Sequence, residues 1–259
     1  MKKNPYSGKP STRAKLGAGL VPHLLGEKKN QAQKKKWFIS LAGKPILPRK
    51  KGAGFIVIEG LDGSGQSSQA DLLADFLKRK GFAIFKTKEP TKNSKSSKLI
   101  REILDKKKRI SPGKLQILFA KDRKEHLEKE IIPALKNNKI VISDRYFFSS
   151  FAYGAASNLN LNWLIKINNK FLFPDLTFFL DVKPKICLKR ILKRGENQTF
   201  FEKEEKLKKV YQNYKRVFKE CKEFFKNCKK IHTIDGEKPI KKVFNNIKFC
   251  LRQNLDSLR

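Results

Sequence analysis

The sequence lacks the features that mark a membrane protein or a zinc protein. No run of about 18 apolar residues occurs, so no membrane-spanning helix is predicted. The first residues, MKKNPYSGKPSTRAK, have no apolar stretch of the kind that a secretory signal needs. The 4 cysteines form no C-x-x-C pair, and with only 3 histidines beside them no zinc-ligand spacing is present. Free thiols in a cytoplasmic protein are therefore expected.

Acidic residues are also scarce, and this leaves the charge balance open to two interpretations. The chain has 60 Lys and Arg residues against 24 Asp and Glu residues, for a formal net charge of +36. Such an excess raises the question of nucleic-acid binding. The lysines are nevertheless spread along the whole chain among many Asn, Ile and Phe residues, as a compositional bias would produce. Solvated helix faces are the favoured interpretation, and an anionic partner, nucleotide or nucleic acid, stays open.

The chain divides near Gly54 into two stretches of different composition. Residues 1–53 are rich in Lys, Gly and Pro and nearly free of acidic residues, and the stretch from Gly26 onward has one short apolar patch at Trp37–Leu41. That composition predicts a basic, disordered extension that catalysis does not need. An incorrectly chosen start codon or an organelle-targeting peptide would give a similar pattern. Residues 54–259 are the predicted globular domain.

From Gly54 onward, short apolar runs alternate with amphipathic stretches. Five runs predict buried strands: FIVIEG, FAIFKT, KIVIS, LTFFLDV and KIHTID. Stretches with apolar residues on one face, such as residues 67–80, separate the strands and predict helices. Ser111 as a cap and Pro112 in the first turn mark the start of a long helix that runs to about Leu135. This alternation predicts an α/β fold in which helices cover both faces of a five-stranded parallel sheet.

The stretch GLDGSGQSS has the outline of a phosphate-binding loop without its lysine. The pattern G-x-x-x-x-G-K-[ST] begins at Gly60 and reaches Gly65, but Gln66 stands in the lysine position before Ser67. Glycines let backbone N–H groups close around phosphate oxygens, and the following helix adds a partial positive charge. The Ser67 hydroxyl is placed to bind Mg²⁺. The candidate nucleotide-binding residues are Gly60, Gly63, Ser64, Gly65, Gln66, Ser67 and Ser68.

Three further segments carry residues suited to phosphoryl transfer. Asp144 and Arg145 end the third strand, where a carboxylate can hold Mg²⁺ through water and an arginine can bridge two phosphoryl groups. In LFAKDR, Phe119 and Arg123 share one helix face, which suits stacking on a base and hydrogen bonding to its edge. Core packing of Phe119 is the alternative. The basic segment ILKRGENQTFFEK is either a lid that closes on phosphates or a plain loop.

Together these segments resemble the thymidylate kinase family, whose members phosphorylate dTMP with ATP. The resemblance covers the chain from about Phe55 to its end and rests on FIVIEGLDGSG, KEPT, LFAKDR, SDRYFFSSFAYG and FLDVKP, in the family's order. It implies the three-layer fold of the P-loop nucleoside monophosphate kinases, ATP and Mg²⁺ as cofactors, a homodimer and no specific nucleic-acid partner. A kinase of another deoxynucleotide, a nucleotide-binding pseudokinase and a nucleic-acid-binding protein are the alternatives.

The resemblance also implies roles for individual residues. On the acceptor side these are Asp62 near the sugar 3′-hydroxyl, Phe119 stacked on thymine, Arg123 hydrogen-bonded to it, Tyr153 lining the nucleoside pocket and, by a looser alignment, Lys92 on the dTMP phosphate. On the donor side they are Arg145 aligning the two phosphoryl groups, Ser67 and Asp144 at the metal, and Arg190, Lys193 and Arg194 at the root of the lid.

The family pattern is broken at several positions. Gln66 replaces the loop lysine, Lys88 replaces the arginine of an R-E-P segment, and Gly154 stands where many members carry a polar side chain near the base. The lid has NQTFFEK where D-R-x-E is common. Phosphoryl transfer depends on positioning and charge stabilisation, so a missing cation must be supplied from elsewhere or the rate falls. We expect the lid-root cations to supply it, as an arginine finger in cis would.

Overall fold

The structure, a computed structural model, describes residues 37–254 except 49, 51, 194–199, 221–222, 224 and 226–229. The described residues form these elements in chain order: β1 (Trp37–Ile39), β2 (Pro45–Pro48), β3 (Gly54–Gly60), α1 (Gln66–Arg79), β4 (Ile84–Lys88), α2 (Lys95–Leu104), α3 (Pro112–His126), a π-helical turn (Leu127–Ile131), α4 (Ile132–Lys136), β5 (Ile140–Asp144), α5 (Phe147–Ala156), α6 (Leu161–Asn168), β6 (Leu176–Asp181), α7 (Pro184–Leu192), α8 (Phe200–Lys219), β7 (Ile231–Asp235) and α9 (Ile240–Arg252).

Five strands form one parallel sheet in the order β4-β5-β3-β6-β7. The central strands β3 and β5 are buried along their whole length, as expected for parallel strands with helices on both faces. Alternate side chains of β3 enter different cores: Ile56 and Ile58 pack with α1 and α9, whereas Phe55 and Val57 pack with α5 and α8. The predicted five-stranded parallel sheet flanked by helices is confirmed.

Three neighbouring strands end together at one edge of the sheet. Ile58 of β3 pairs with Asp144 of β5, and Asp144 pairs on its other side with Lys88 of β4. The chain leaves β3 at Gly60 and begins α1 at Gln66. The glycine-rich loop, the end of β4 and the Asp-Arg pair after β5 therefore lie side by side, as ligand sites of open α/β sheets do.

A β-hairpin lies inside the stretch predicted to be a disordered extension. β1 and β2 pair antiparallel, and Phe38, Leu41 and Leu47 are buried in the core. The described fold therefore includes two strands that lie before the boundary predicted at Gly54. The short apolar patch is folded because it finds buried partners far along the chain. The residues before 37 lie outside the described residues, and their disorder stays a prediction.

The hairpin is joined by backbone hydrogen bonds to the segment after α6. The N–H groups of Leu41 and Ala42 donate to the carbonyl oxygens of Phe171 and Asn169 at 2.8 and 3.0 Å. The N–H of Phe173 donates to the carbonyl oxygen of Ile39 at 2.7 Å. The end of α6 is therefore held in place by a segment of the chain that precedes the sheet.

The long helix predicted from Pro112 is divided in the structure. α3 passes into the π-helical turn Leu127–Ile131, and α4 follows. Pro133 lies in the first turn of α4 and has no backbone N–H to donate, so the hydrogen-bond ladder changes its spacing where it reaches this residue. Among the helices that the structure describes, none is long and apolar enough to cross a bilayer.

Candidate active site

The loop between β3 and α1 is shaped by glycines in left-handed conformations. Gly63 and Gly65 have φ angles of 83° and 97°, and Gly65 directly precedes α1. A Cβ atom at Gly63 would lie 2.5 Å from the carbonyl oxygen of Cys187, so space as well as conformation requires glycine there. A cavity at the N-terminus of α1, which we call the loop cavity, is lined by loop residues and by the first turn of the helix: Leu61, Asp62, Gly63, Gly65, Gln66, Ser67 and Ser68.

Gln66 folds back onto the loop. Its side chain is buried, and Nε2 donates hydrogen bonds to the carbonyl oxygens of Gly60 at 2.6 Å and Leu61 at 3.3 Å. These bonds satisfy two buried carbonyl groups and hold the loop closed. The amide nitrogen is therefore engaged by the backbone, and the side chain brings no charge to the loop cavity.

A hydroxyl, a carboxylate and an ammonium group meet beside the loop. Ser67 Oγ donates to Asp144 Oδ2 at 2.5 Å, and Lys88 Nζ lies 3.1 Å from the same oxygen and 3.5 Å from Ser67 Oγ. Asp144 is buried, and its Oδ1 has no hydrogen-bond partner among the described residues. Leaving a buried carboxylate oxygen unpaired is costly, so Oδ1 is suited to bind a cation or a water molecule. Hydroxyl and carboxylate oxygens suit Mg²⁺, so Ser67 and Asp144 fit a magnesium site.

Arg145 joins the loop to the residues on its far side. Its φ angle is 74°, a strained conformation for a residue other than glycine and one that often marks a functional site. Its guanidinium donates to Asp62 Oδ1 at 2.7 Å, to the Gly60 carbonyl oxygen at 3.2 Å and to Ser149 Oγ at 3.1 Å. Asp62 in turn accepts a hydrogen bond of 2.9 Å from the Tyr153 hydroxyl. The loop, Arg145 and α5 therefore form one connected set.

A buried carboxyl group fixes the start of α5. Glu59 accepts hydrogen bonds from the Tyr146 N–H at 2.9 Å, the Ser149 hydroxyl at 2.6 Å and the Tyr214 hydroxyl at 3.0 Å. Burial raises the pKa of Glu59 from 4.5 to about 7, although these hydrogen bonds and the charge of Arg145 act in the opposite direction. Glu59 thus holds Ser149 where it contacts Arg145.

A second cavity opens beside Arg145 between α3 and α5. We call it the aromatic cavity, and the residues that define it are Gln116, Phe119, Arg123, Tyr146, Ser150 and Tyr153. Asp62, Lys88 and Arg145 line both this cavity and the loop cavity. Lys206 of α8 lines both cavities as well, so the two cavities meet at these four charged side chains.

Arg123 is held almost completely by the protein. Its Nε and Nη2 atoms lie 2.8 and 2.6 Å from Glu89 Oε2, and Nη1 donates to Asn168 Oδ1 at 2.5 Å. Nη2 also donates to Ser150 Oγ at 3.2 Å. These contacts can occupy four of the roughly five N–H groups of a guanidinium, which leaves one for a ligand in the aromatic cavity.

Two buried polar atoms of the aromatic cavity have no hydrogen-bond partner among the described residues: Gln116 Oε1 and the Tyr146 hydroxyl. Gln116 lies against Gly154 of α5, where an added Cβ atom would be 3.4 Å from Gln116 Cδ. The same Cβ would be 2.8 Å from both methyl groups of Leu164, which is fully buried. Position 154 therefore has no room for a side chain in this packing.

Known sequences supply the remaining evidence on identity. Residues 58–247 match the family model described as thymidylate kinase. The chain belongs to the thymidylate kinase family. A probable thymidylate kinase of Pyrococcus horikoshii is 47% identical over 165 residues, which are 62% of this chain and 80% of that protein. A probable thymidylate kinase of Archaeoglobus fulgidus is 35% identical over 202 residues, which are 78% of this chain and 96% of that protein.

Most residues that the resemblance to thymidylate kinases singled out meet at this edge of the sheet. Five of the seven predicted loop residues line the loop cavity, whereas Gly60 and Ser64 are buried and are not among the residues that line it. The predicted acceptor-side residues Phe119, Arg123 and Tyr153 line the aromatic cavity. The structure thus brings the donor-side and acceptor-side candidates together, as thymidylate kinase chemistry requires.

Two candidates, Lys92 and Arg190, lie elsewhere, and a third is outside the described residues. Lys92 lines a third cavity, near β4, and not the aromatic cavity. The Arg190 guanidinium donates to the carbonyl oxygens of Ser64 at 3.3 Å and Gly236 at 3.1 Å, so its hydrogen bonds stabilise the loop. Arg194 and much of the predicted lid fall outside the described residues. A lid cation at the phosphates therefore stays a prediction.

Sequence reasoning assigned no role to four residues that shape the site, although the chain carries signals for them. Glu59 is the charged residue in the otherwise apolar run FIVIEG, and Glu89 follows Lys88 at the end of a strand. Gln116 precedes Phe119 by three residues and so shares its helix face. Lys88 is visible in the sequence only as a changed family residue, because its nearness to Asp144 depends on strand register.

Proposed function

We propose that this protein phosphorylates dTMP to dTDP with ATP as the phosphoryl donor. Membership of the thymidylate kinase family, and relatives named probable thymidylate kinases, support the activity and the donor. The structural observation that carries the proposal is the junction of the two cavities at Asp62, Lys88 and Arg145. A donor in the loop cavity and an acceptor in the aromatic cavity would bring their phosphates together there.

The reaction is a direct transfer between the two nucleotides. An oxygen of the dTMP phosphate attacks the γ-phosphorus of ATP as the bond to the β-phosphate oxygen breaks, which gives dTDP and ADP. The loop N–H groups and the N-terminus of α1 hold the donor phosphates. Arg145 aligns the two phosphoryl groups, and its ion pair with Asp62 holds it in position. Asp62 also contacts the acceptor sugar, which its place in the lining of the aromatic cavity supports.

The aromatic cavity holds the nucleoside of the acceptor. Phe119 stacks on the base, Arg123 donates its remaining N–H to it, and Tyr153 closes the sugar side. The shared lining of these three residues supports this arrangement. Lys92 adds positive potential from the neighbouring cavity rather than a direct contact to the phosphate.

A magnesium ion is proposed at the loop. Ser67 would bind it directly and Asp144 through water, and the ion would neutralise charge on the donor phosphates. The unpartnered, buried Oδ1 of Asp144 supports this assignment.

Lys88 supplies the positive charge that the loop lacks. Gln66 is turned toward the loop carbonyls, and Arg190 is bonded to two other carbonyls, so neither side chain extends a cation to the phosphates. Lys88 Nζ lies 3.5 Å from Ser67 Oγ on a long and flexible side chain. Lys206, which lines both cavities, and Arg194, on the predicted lid, are the alternative sources of charge.

The activity is tested with an assay that couples ADP release to a visible signal, with dTMP, dUMP, dCMP and dGMP as acceptors. We expect the highest kcat/KM for dTMP. A higher value for another acceptor would identify a different nucleotide kinase, and ATP binding without any turnover would identify a pseudokinase. Light scattering on the same preparation tests the homodimer that the family resemblance implies.

A further inference from the structure

We infer that Gln116 is the residue that distinguishes thymine from cytosine, an assignment that rests on the proposed function. Gln116 lies on α3 one helical turn before Phe119 and lines the aromatic cavity. Its side chain is only 5% exposed, and its Oε1 atom has no partner among the described residues. A buried acceptor left unpaired in a cavity is stabilised when a ligand brings a donor to it.

The chemistry of the base requires such an acceptor. The hydrogen-bonding edge of thymine presents the O4 acceptor beside the N3–H donor, whereas cytosine presents an amino donor beside the N3 acceptor. Arg123 has donors only, so it can pair with O4 but cannot accept the N3–H bond. Its neighbours Glu89 and Asn168 are already engaged with its own guanidinium. Gln116 Oε1 can accept the N3–H bond, and the two residues together match thymine and mismatch cytosine.

The Gln116 amide lies directly against Gly154 of α5. Glycine at this position leaves no side chain between α5 and the amide, and Leu164 fills the space where one would begin. The Tyr146 hydroxyl is the other polar atom of this cavity without a partner among the described residues. A phenol hydroxyl can donate or accept as its O–H bond rotates, so it serves either base. The Gln116 amide discriminates between the bases in the orientation that presents Oε1, and not Nε2, to the base.

The test compares Gln116→Met with wild type, because methionine has a similar length and volume but makes no comparable hydrogen bond. We expect KM for dTMP to rise about tenfold, with kcat within about threefold and KM for ATP unchanged. KM for dUMP should rise by the same factor, since uracil has the same edge as thymine. The kcat/KM ratio of dTMP to dCMP should fall about tenfold. Tyr146→Phe is the matched comparison and should leave that ratio unchanged.

Two readouts separate failure of this assignment from failure of the proposed function. Calorimetric titration with dTMP reports binding without turnover, and Gln116→Met should weaken it by the same factor of about ten. If wild type binds dTMP and a folded Gln116→Met variant changes neither the affinity nor the dTMP-to-dCMP ratio by more than twofold, the assignment is overturned. It is also overturned if Tyr146→Phe, and not Gln116→Met, removes the discrimination. If wild type neither binds nor phosphorylates dTMP, the proposed function fails.

Discussion

Lys88 and Gln66 offer a direct test of where the charge on the donor phosphates comes from. Lys88→Met removes the cation beside Ser67 and Asp144 while keeping most of the apolar length of the side chain. Gln66→Lys restores a lysine at the position that phosphate-binding loops normally give it. If Lys88 performs the function of the missing loop lysine, the first change should impair the enzyme and the second should rescue it.

The size of the effect follows from the exposure of Lys88. A hydrogen bond to a charged group contributes about 1.5–3 kcal/mol. The Lys88 side chain is 56% exposed, so solvent screening favours the lower end of that range. A loss of about 1.5 kcal/mol is roughly a tenfold loss in kcat/KM for ATP. The double variant should recover to within about threefold of wild type.

The assay is initial-rate kinetics with varied ATP at saturating dTMP, together with calorimetric binding of ADP. Melting temperatures serve as the control, because Gln66→Lys also removes hydrogen bonds to Gly60 and Leu61. The reasoning is refuted if Lys88→Met changes kcat/KM for ATP by less than twofold. It is also refuted if Lys88→Met lowers kcat/KM for ATP but Gln66→Lys does not restore it. That result would mean either that Lys88 contacts the acceptor phosphate or that the lid supplies the charge on the donor phosphates.

Three further predictions concern stability. Glu59→Gln removes a buried carboxyl group whose pKa is raised from 4.5 to about 7. Between these two values the folded state keeps the proton and the unfolded state loses it, so the stability of wild type should fall as the pH rises from 4.5 to 7. Urea unfolding of the variant should lack that part of the pH dependence, and an unchanged profile would contradict the assignment. Arg123→Met leaves the buried Glu89 with His126 but without its guanidinium partner, and it should lower the free energy of unfolding in urea by about 3–5 kcal/mol. A cost below about 1 kcal/mol would mean that the Arg123–Glu89 pair is not formed. A chain that begins at Lys51 loses the hairpin and its three buried apolar side chains, at about 1.5–3 kcal/mol each. It should melt well below a control chain that begins at Lys35, and equal melting temperatures would show that the hairpin does not stabilise the fold.

Periodicity was sufficient to predict the sheet, because parallel strands buried on both faces are continuous apolar runs. It was not sufficient for the hairpin, because β1 has only three residues and its partner Phe173 lies far along the chain. No local pattern in Trp37–Leu41 specifies that contact.

The candidate site also contains some features that could be predicted from the sequence and some that could not. The phosphate loop and the pair Asp144–Arg145 could be predicted, since each follows a strand and lies at one edge of the sheet. Three other features could not be predicted: the orientation of Gln66, the register that brings Lys88 beside Asp144, and the Gln116 oxygen that has no partner among the described residues. Each of these depends on a partner that the sequence does not place next to it.

The close approach of Leu164 to Gly154 also couples these two positions in any substitution that this chain accepts. A side chain at position 154 collides with both Leu164 methyl groups, and Leu164 is fully buried. Alanine or a polar residue at position 154 alone would overpack this contact, which typically costs about 1–3 kcal/mol. A smaller residue at position 164 alone would leave a cavity, which typically costs about 2–5 kcal/mol. A polar residue near the base at position 154 is therefore accommodated at the lowest cost when α5 and α6 change together.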